Sequence, residues 1–183
     1  MCGFLFSNQP QSKAYFLNKL KLIDYRGPDH TGYDFIDNLH FGHVRLSILD
    51  LDPRSNQPFS YEHLSMVYNG EIYNYLDVKE LLTAQAYSFK TESDTEVLLL
   101  GYHAWGYKVL EKINGMFAFV IYDREQNKIV GARDRLGVKP LYYTLANNGL
   151  EICSQINPIA HEKNFTLDED AVSMYLDCKF IPS

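Results

Sequence analysis

The sequence predicts an α+β fold arranged as a four-layer sandwich, two β-sheets packed face to face with helices on their outer sides. Three observations lead there. The chain has 183 residues, close to one average domain. It carries about nine strand candidates against three or four helix candidates. Its strongest strand candidate, Met116 to Tyr122, is a continuous apolar run that needs cover on both faces.

Taken in order, Cys2 to Ser7 reads as a short apolar strand. Gln11 to Asp24 has apolar residues at helical spacing and ends at the turn formers Arg26-Gly27-Pro28-Asp29. Strand candidates follow at Tyr33 to Ile36, Leu39 to His43, Leu46 to Leu49 and Leu64 to Tyr68. Asn69-Gly70 after the last of them has the composition of a hairpin turn, and a helix is expected from about Tyr75 to Ala84. Ser93-Asp94-Thr95-Glu96 has capping-box spacing, which starts a helix running through Val97-Leu98-Leu99-Leu100 to Trp105. Beyond Met116 to Tyr122, strands are expected near Lys128 to Ala132, Leu141 to Leu145 and Leu150 to Ser154. With no repeat or low-complexity tract, residues 1–160 read as one domain, and the polar stretch from His161 to Asn164 opens a connector over 161–183.

Composition narrows the function. Apolar residues make up 46% and charged residues 22%, with 14 Tyr and 11 Phe, enough to bury roughly 70% of the unfolded chain's surface. Seventeen basic against 23 acidic residues give a net charge of −6, and no Lys/Arg run exceeds two, so neither nucleic acid nor an anionic membrane is an expected partner. No apolar stretch reaches the roughly 20 residues of a membrane span, and the N-terminus lacks a secretory signal, which places the chain in the cytoplasm. Three scattered cysteines, Cys2, Cys153 and Cys178, fit a reducing compartment.

Cys2 is the first chemical candidate. Removal of Met1 would make it a terminal residue carrying a thiol nucleophile and an α-amine of pKa near 7.7–8.0 that can serve as its base. As a small hydrophobe it could equally begin a strand. In Asn69-Gly70-Glu71, a side-chain amide and a backbone N–H could face a developing oxyanion, although Asn-Gly is also a hairpin turn. Arg45 could grip a carboxylate bidentately or pair with a neighbouring acid at a sheet edge. Asp94 could take an ammonium, or simply favour the first turn of its helix. The six histidines show no ligand spacing, so no metal site is expected, and no phosphate-binding glycine loop occurs.

The ordered set MCG, RGPDHTG, GHVRLSILDL, NGEIYNY, SDTE, INGMFAFVIYD and ARDRLGVKPLYY resembles the glutaminase domain of asparagine synthetases and covers nearly the whole chain. Those are class II glutamine amidotransferases of the N-terminal nucleophile hydrolase superfamily. The resemblance implies an αββα fold of two mainly antiparallel sheets and hydrolysis of L-glutamine through a Cys2 thioester. It implies Asn69 and Gly70 as oxyanion donors, Arg45 for the substrate carboxylate with Leu46 and Ile48 beside it, and Glu71 and Asp94 for the substrate ammonium. No cofactor is implied here. ATP and Mg belong to a synthetase domain, in cis or on a separate chain, whose acceptor is aspartate or, in some relatives, a sugar acid. A homodimer is compatible with it, and a catalytically silent glutamine-binding module is the reading of another class. Where relatives usually show an acid and a lysine after the last strand, this chain has Cys153-Ser154-Gln155-Ile156-Asn157-Pro158.

Overall fold

The computed structural model describes residues 1–146, 149–161 and 166–180. Among them are nine strands: β1 (Gly3–Ser7), β2 (His30–Ile36), β3 (Leu39–Arg45), β4 (Phe59–Tyr61), β5 (Leu64–Ile72), β6 (Gly115–Asp123), β7 (Lys128–Arg133), β8 (Tyr142–Ala146) and β9 (Gly149–Cys153). They form one sheet of order β2-β3-β1-β9-β8 and a second of order β4-β5-β6-β7, with every paired neighbour antiparallel. The helices are α1 (Lys13–Lys21), α2 (Tyr75–Thr83), α3 (Asp94–Trp105), α4 (Val109–Lys112), α5 (Ile156–Ala160) and α6 (Glu169–Cys178).

Strand alternation sorts the apolar residues into three layers. Phe4, Phe6, Phe41, Val67, Ala118 and Val120 fill the space between the sheets. Leu5 and Val44 point the other way, onto Phe16 and Leu20 of α1 and Ile159 of α5. Met66, Phe119 and Ile121 face Val78, Leu82 and Leu98 of α2 and α3. The architecture is the four-layer sandwich expected, and each fully buried Phe or Leu contributes about 1.5–3 kcal/mol to it. Gly42 keeps α1 close: a Cβ there would stand 2.8 Å from both Leu20 Cδ2 and Phe16 Cε1.

Some local expectations are corrected. Asn69-Gly70 is not a turn but the interior of β5, because all nine residues of that strand pair with β6, from Leu64↔Asp123 to Ile72↔Gly115. Leu46 to Leu49 is not a strand. That segment finds no strand partner, and its carbonyls are used by side chains instead. The capping box is half formed: Ser93 Oγ accepts the Thr95 N–H at 3.1 Å. Glu96 reaches past Ser93 and accepts from the Thr91 N–H and hydroxyl, both at 2.7 Å, closing the turn before α3. β4, α4, α5 and α6 were not anticipated. The stretch from His161 to Asn164 lies, after His161, outside the described residues, and α6 beyond it has no buried residue.

Candidate active site

Cys2 immediately precedes β1, opposite Arg45 in the β1–β3 register. Its Sγ lies 3.4 Å from the Leu46 N–H that donates to it and 3.5 Å from the Leu46 carbonyl. Arg26 Nε donates to the Cys2 carbonyl at 2.9 Å, which fixes the backbone as well. Burial pushes the thiol pKa up, and the Leu46 hydrogen bond and Arg45 only partly oppose this. A thiol held neutral needs a base to become a nucleophile. Met1 is 61% exposed, so the bond that frees the Cys2 amine is accessible.

Across the cleft, β4 stops opposite Met66, leaving the rest of β5 with a free edge. Side chains take over its backbone groups. Gln57 Oε1 accepts the Tyr68 N–H at 2.6 Å, and Asp94 Oδ2 accepts the Ile72 N–H at 3.0 Å. Strand alternation aims the Gly70 N–H at the same edge, between those two, into the cleft that Cys2 lines. Only glycine fits there, since a Cβ would stand 2.5 Å from the Met116 carbonyl and 2.6 Å from the Tyr68 ring. The neighbouring Asn69 is 1% exposed, and its Nδ2 has no hydrogen-bond partner among the described residues.

Asp94, the first residue of α3, also accepts from the Tyr68 hydroxyl at 2.7 Å. Burial raises its pKa against the pull of those hydrogen bonds. Burial, then the charge of Asp94, raises that of Glu71, while Lys139 opposes the rise. Two desolvated carboxylates side by side favour a cation between them. Cys2, Arg45, Leu46, Ile48, Gly70, Glu71 and Asp94, all expected from the sequence, line this one cleft, whereas Asn69, also expected, is not among the lining residues.

Arg45 stands differently from expectation. All four of its terminal N–H groups have acceptors: Nη1 donates to Asn56 Oδ1 at 2.7 Å and the Asp52 carbonyl at 3.2 Å, and Nη2 to the carbonyls of Leu49 at 3.2 Å and Asp50. It braces the segment from Leu46 to Asn56. Arg45→Lys, with at most three donors on a round ammonium, should leave at least one of these four acceptors unserved. Protease cleavage within 46–56 is expected to rise about tenfold, measured by the rate of nicking under native conditions.

Sequence reasoning missed Arg26, Gln57, Tyr68, Thr95 and Lys139. Gln57 joins the cleft to α3, its Nε2 reaching Thr95 Oγ1 at 3.4 Å. Asp134 accepts from the Lys139 N–H at 2.9 Å and so places a lysine that is 4% exposed near Glu71. None of these carries a local signal beyond its residue type.

His43 crosses between the sheets, its Nε2–H donating to the Tyr68 carbonyl at 3.1 Å. It is fully buried, and burial lowers its pKa from 6.5 to about 3 despite that hydrogen bond. Between those values the unfolded chain binds a proton that the folded one refuses, so stability is lost as pH falls. Urea denaturation should show a loss of about 1.4 kcal/mol per pH unit from this group below pH 6.5, and His43→Asn should flatten that slope.

The model for the glutamine amidotransferase domain family matches residues 1–183, the whole chain. A glutamine-hydrolysing asparagine synthetase of Bacillus subtilis is 38% identical over 100% of this chain and 30% of its own length. A putative glutamine-hydrolysing asparagine synthetase of Methanocaldococcus jannaschii is 38% identical over 91% of this chain and 37% of its own. The amidase chry2 of Gibberella zeae is 43% identical over 75% and 21%. The chain thus spans between a fifth and two fifths of these relatives. Among solved structures, the glutamine phosphoribosylpyrophosphate amidotransferase of Bacillus subtilis superposes with a TM-score of 0.74 over 87% of this chain and 43% of that one, at 20% identity, a likeness of fold. With a whole-length family match and a 38% identical relative aligned over all of this chain, the chain belongs to the glutamine amidotransferase domain family, alongside the glutamine-hydrolysing asparagine synthetases.

Proposed function

We propose that this domain hydrolyses L-glutamine to glutamate and ammonia through Cys2, and that a synthetase domain uses the ammonia to amidate a carboxylate. One observation carries the reading. A single cleft joins the near-terminal thiol to Gly70, whose N–H lies on a free strand edge, and the next residue along that strand, Asn69, carries a buried amide with no partner among the described residues, so two donors an oxyanion needs stand on adjacent residues.

With Met1 removed, the Cys2 α-amine takes the thiol proton as Sγ attacks the glutamine side-chain carbonyl. Collapse of the tetrahedral adduct returns that proton to the departing ammonia, and water then releases glutamate from the thioester. Glu71 and Asp94 receive the α-ammonium. Arg45 receives the α-carboxylate by exchanging one or two loop carbonyls for it, with Leu46 and Ile48 as flanking walls. No step calls for a cofactor in this domain. ATP and Mg serve the synthetase, joined through 161–183 or carried on a separate cytoplasmic chain, and the names of the relatives favour aspartate as acceptor.

The intact mass before and after treatment with a glutamine-mimicking diazo-ketone tests this. The expected product lacks Met1 and gains one adduct that Cys2→Ala abolishes. Loss of Met1 with no adduct would overturn it.

A further inference from the structure

We infer that the hairpin turn between β4 and β5 and the last turn of α3 form a binding site for one divalent transition-metal ion, with Glu62, His63 and His103 as ligands and Zn²⁺ the best-suited ion. The two histidines are forty residues apart in sequence, so spacing could not disclose them. Folding brings one ligand atom of each of the three residues within 4.8 Å of the others. A tetrahedral zinc with bonds near 2.0–2.1 Å needs ligand separations of about 3.3 Å, a contraction that side-chain rotation can supply.

The surroundings are preorganised. Glu62 takes a left-handed turn conformation at φ +50°. Arg124 clamps the turn, donating its backbone N–H to the His63 carbonyl at 3.0 Å and its guanidinium to the Glu62 carbonyl. The Tyr61 ring meets His103 edge-on at 5.1 Å. His103 Nε2 already faces Glu62 Oε2 at 2.9 Å, and Nδ1 meets the Tyr87 hydroxyl at 2.7 Å. A metal on Nε2 would leave an Nδ1–H donating to that hydroxyl, the second-sphere arrangement that orients ligating histidines. The ring nitrogens of His63 lie 3.9 Å from Asp123 and 3.6 Å from Glu125, too far for hydrogen bonds. Three carboxylates around two imidazoles suit a borderline divalent cation, and both histidine side chains remain over a fifth exposed. Such an ion would tie the end of α3, whose first turn carries Asp94, to the strand that carries Asn69 and Gly70.

Calorimetric titration of Zn²⁺ into the tag-free chain tests this. One equivalent should bind, equally in wild type and Cys178→Ser, and should raise the thermal midpoint. His63→Asn and Glu62→Gln, both at the turn and away from the core, should each weaken binding about tenfold or more. His103→Asn should do the same, but its packed ring makes the other two decisive. Co²⁺ bound in place of Zn²⁺ should show no thiolate charge-transfer band, which separates this site from Cys2. A loss under tenfold in both turn variants, a thiolate band, or no bound equivalent would overturn the proposal.

Discussion

Cys2→Ala should lower glutamine hydrolysis by more than about a thousandfold while changing stability by no more than about 1 kcal/mol. The asymmetry follows from what Sγ does in the folded protein. Among the described residues its hydrogen bonds are two long contacts with Leu46, at 3.4 and 3.5 Å, whereas the backbone of Cys2 is held independently by Arg26. Removing sulfur therefore deletes the nucleophile and little of the scaffold. Glutamate release in steady state and urea denaturation measured on the same preparation check both halves. Residual turnover above one part in a hundred would place the nucleophile elsewhere.

The second large effect is expected at Asn69. Loss of one oxyanion donor typically costs about 10²–10³ in kcat, or roughly 2.7–4 kcal/mol. Asn69→Ala should show that loss with KM nearly unchanged, because in the proposed mechanism the amide acts on charge that develops only in the transition state. Its stability should hold or rise. Nδ2 is buried with no partner among the described residues, and such a group costs about 1–3 kcal/mol that alanine removes. Asp94 offers a contrast, since it holds both Tyr68 and Ile72, and its loss would damage strand and substrate binding together. A raised KM at constant kcat in Asn69→Ala would reassign it to ground-state binding.

Those two residues also show how much the sequence disclosed. Cys2 could be singled out as a candidate because the chemistry proposed for it depends on position in the chain alone. Every strand but β4 was legible, β6 most plainly, since a strand covered on both faces writes that cover into its residues, as Met116 to Tyr122 does. Asn69-Gly70 could be picked out as a candidate pair of donors, but its local structure was misread: turn preference is a property of a dipeptide, and pairing with β6 outweighed it. Leu46 to Leu49 failed in the opposite sense, with strand-like residues but no neighbouring strand to pair with. Gln57, Lys139 and the meeting of His63 with His103 were out of reach, because each depends on contacts between distant segments.

The free edge of β5 has a consequence beyond the chemistry assigned to it. Exposed strand edges invite a second chain to add on, and with it aggregation. Here Gln57 and Asp94 occupy the donors on either side of Gly70, so no run of consecutive groups remains for an incoming strand to match. What is left is one residue wide, the Gly70 N–H for a single carbonyl oxygen and the Gly70 carbonyl beside it. The same two side chains that flank the Gly70 donor thus guard the sheet against its own kind.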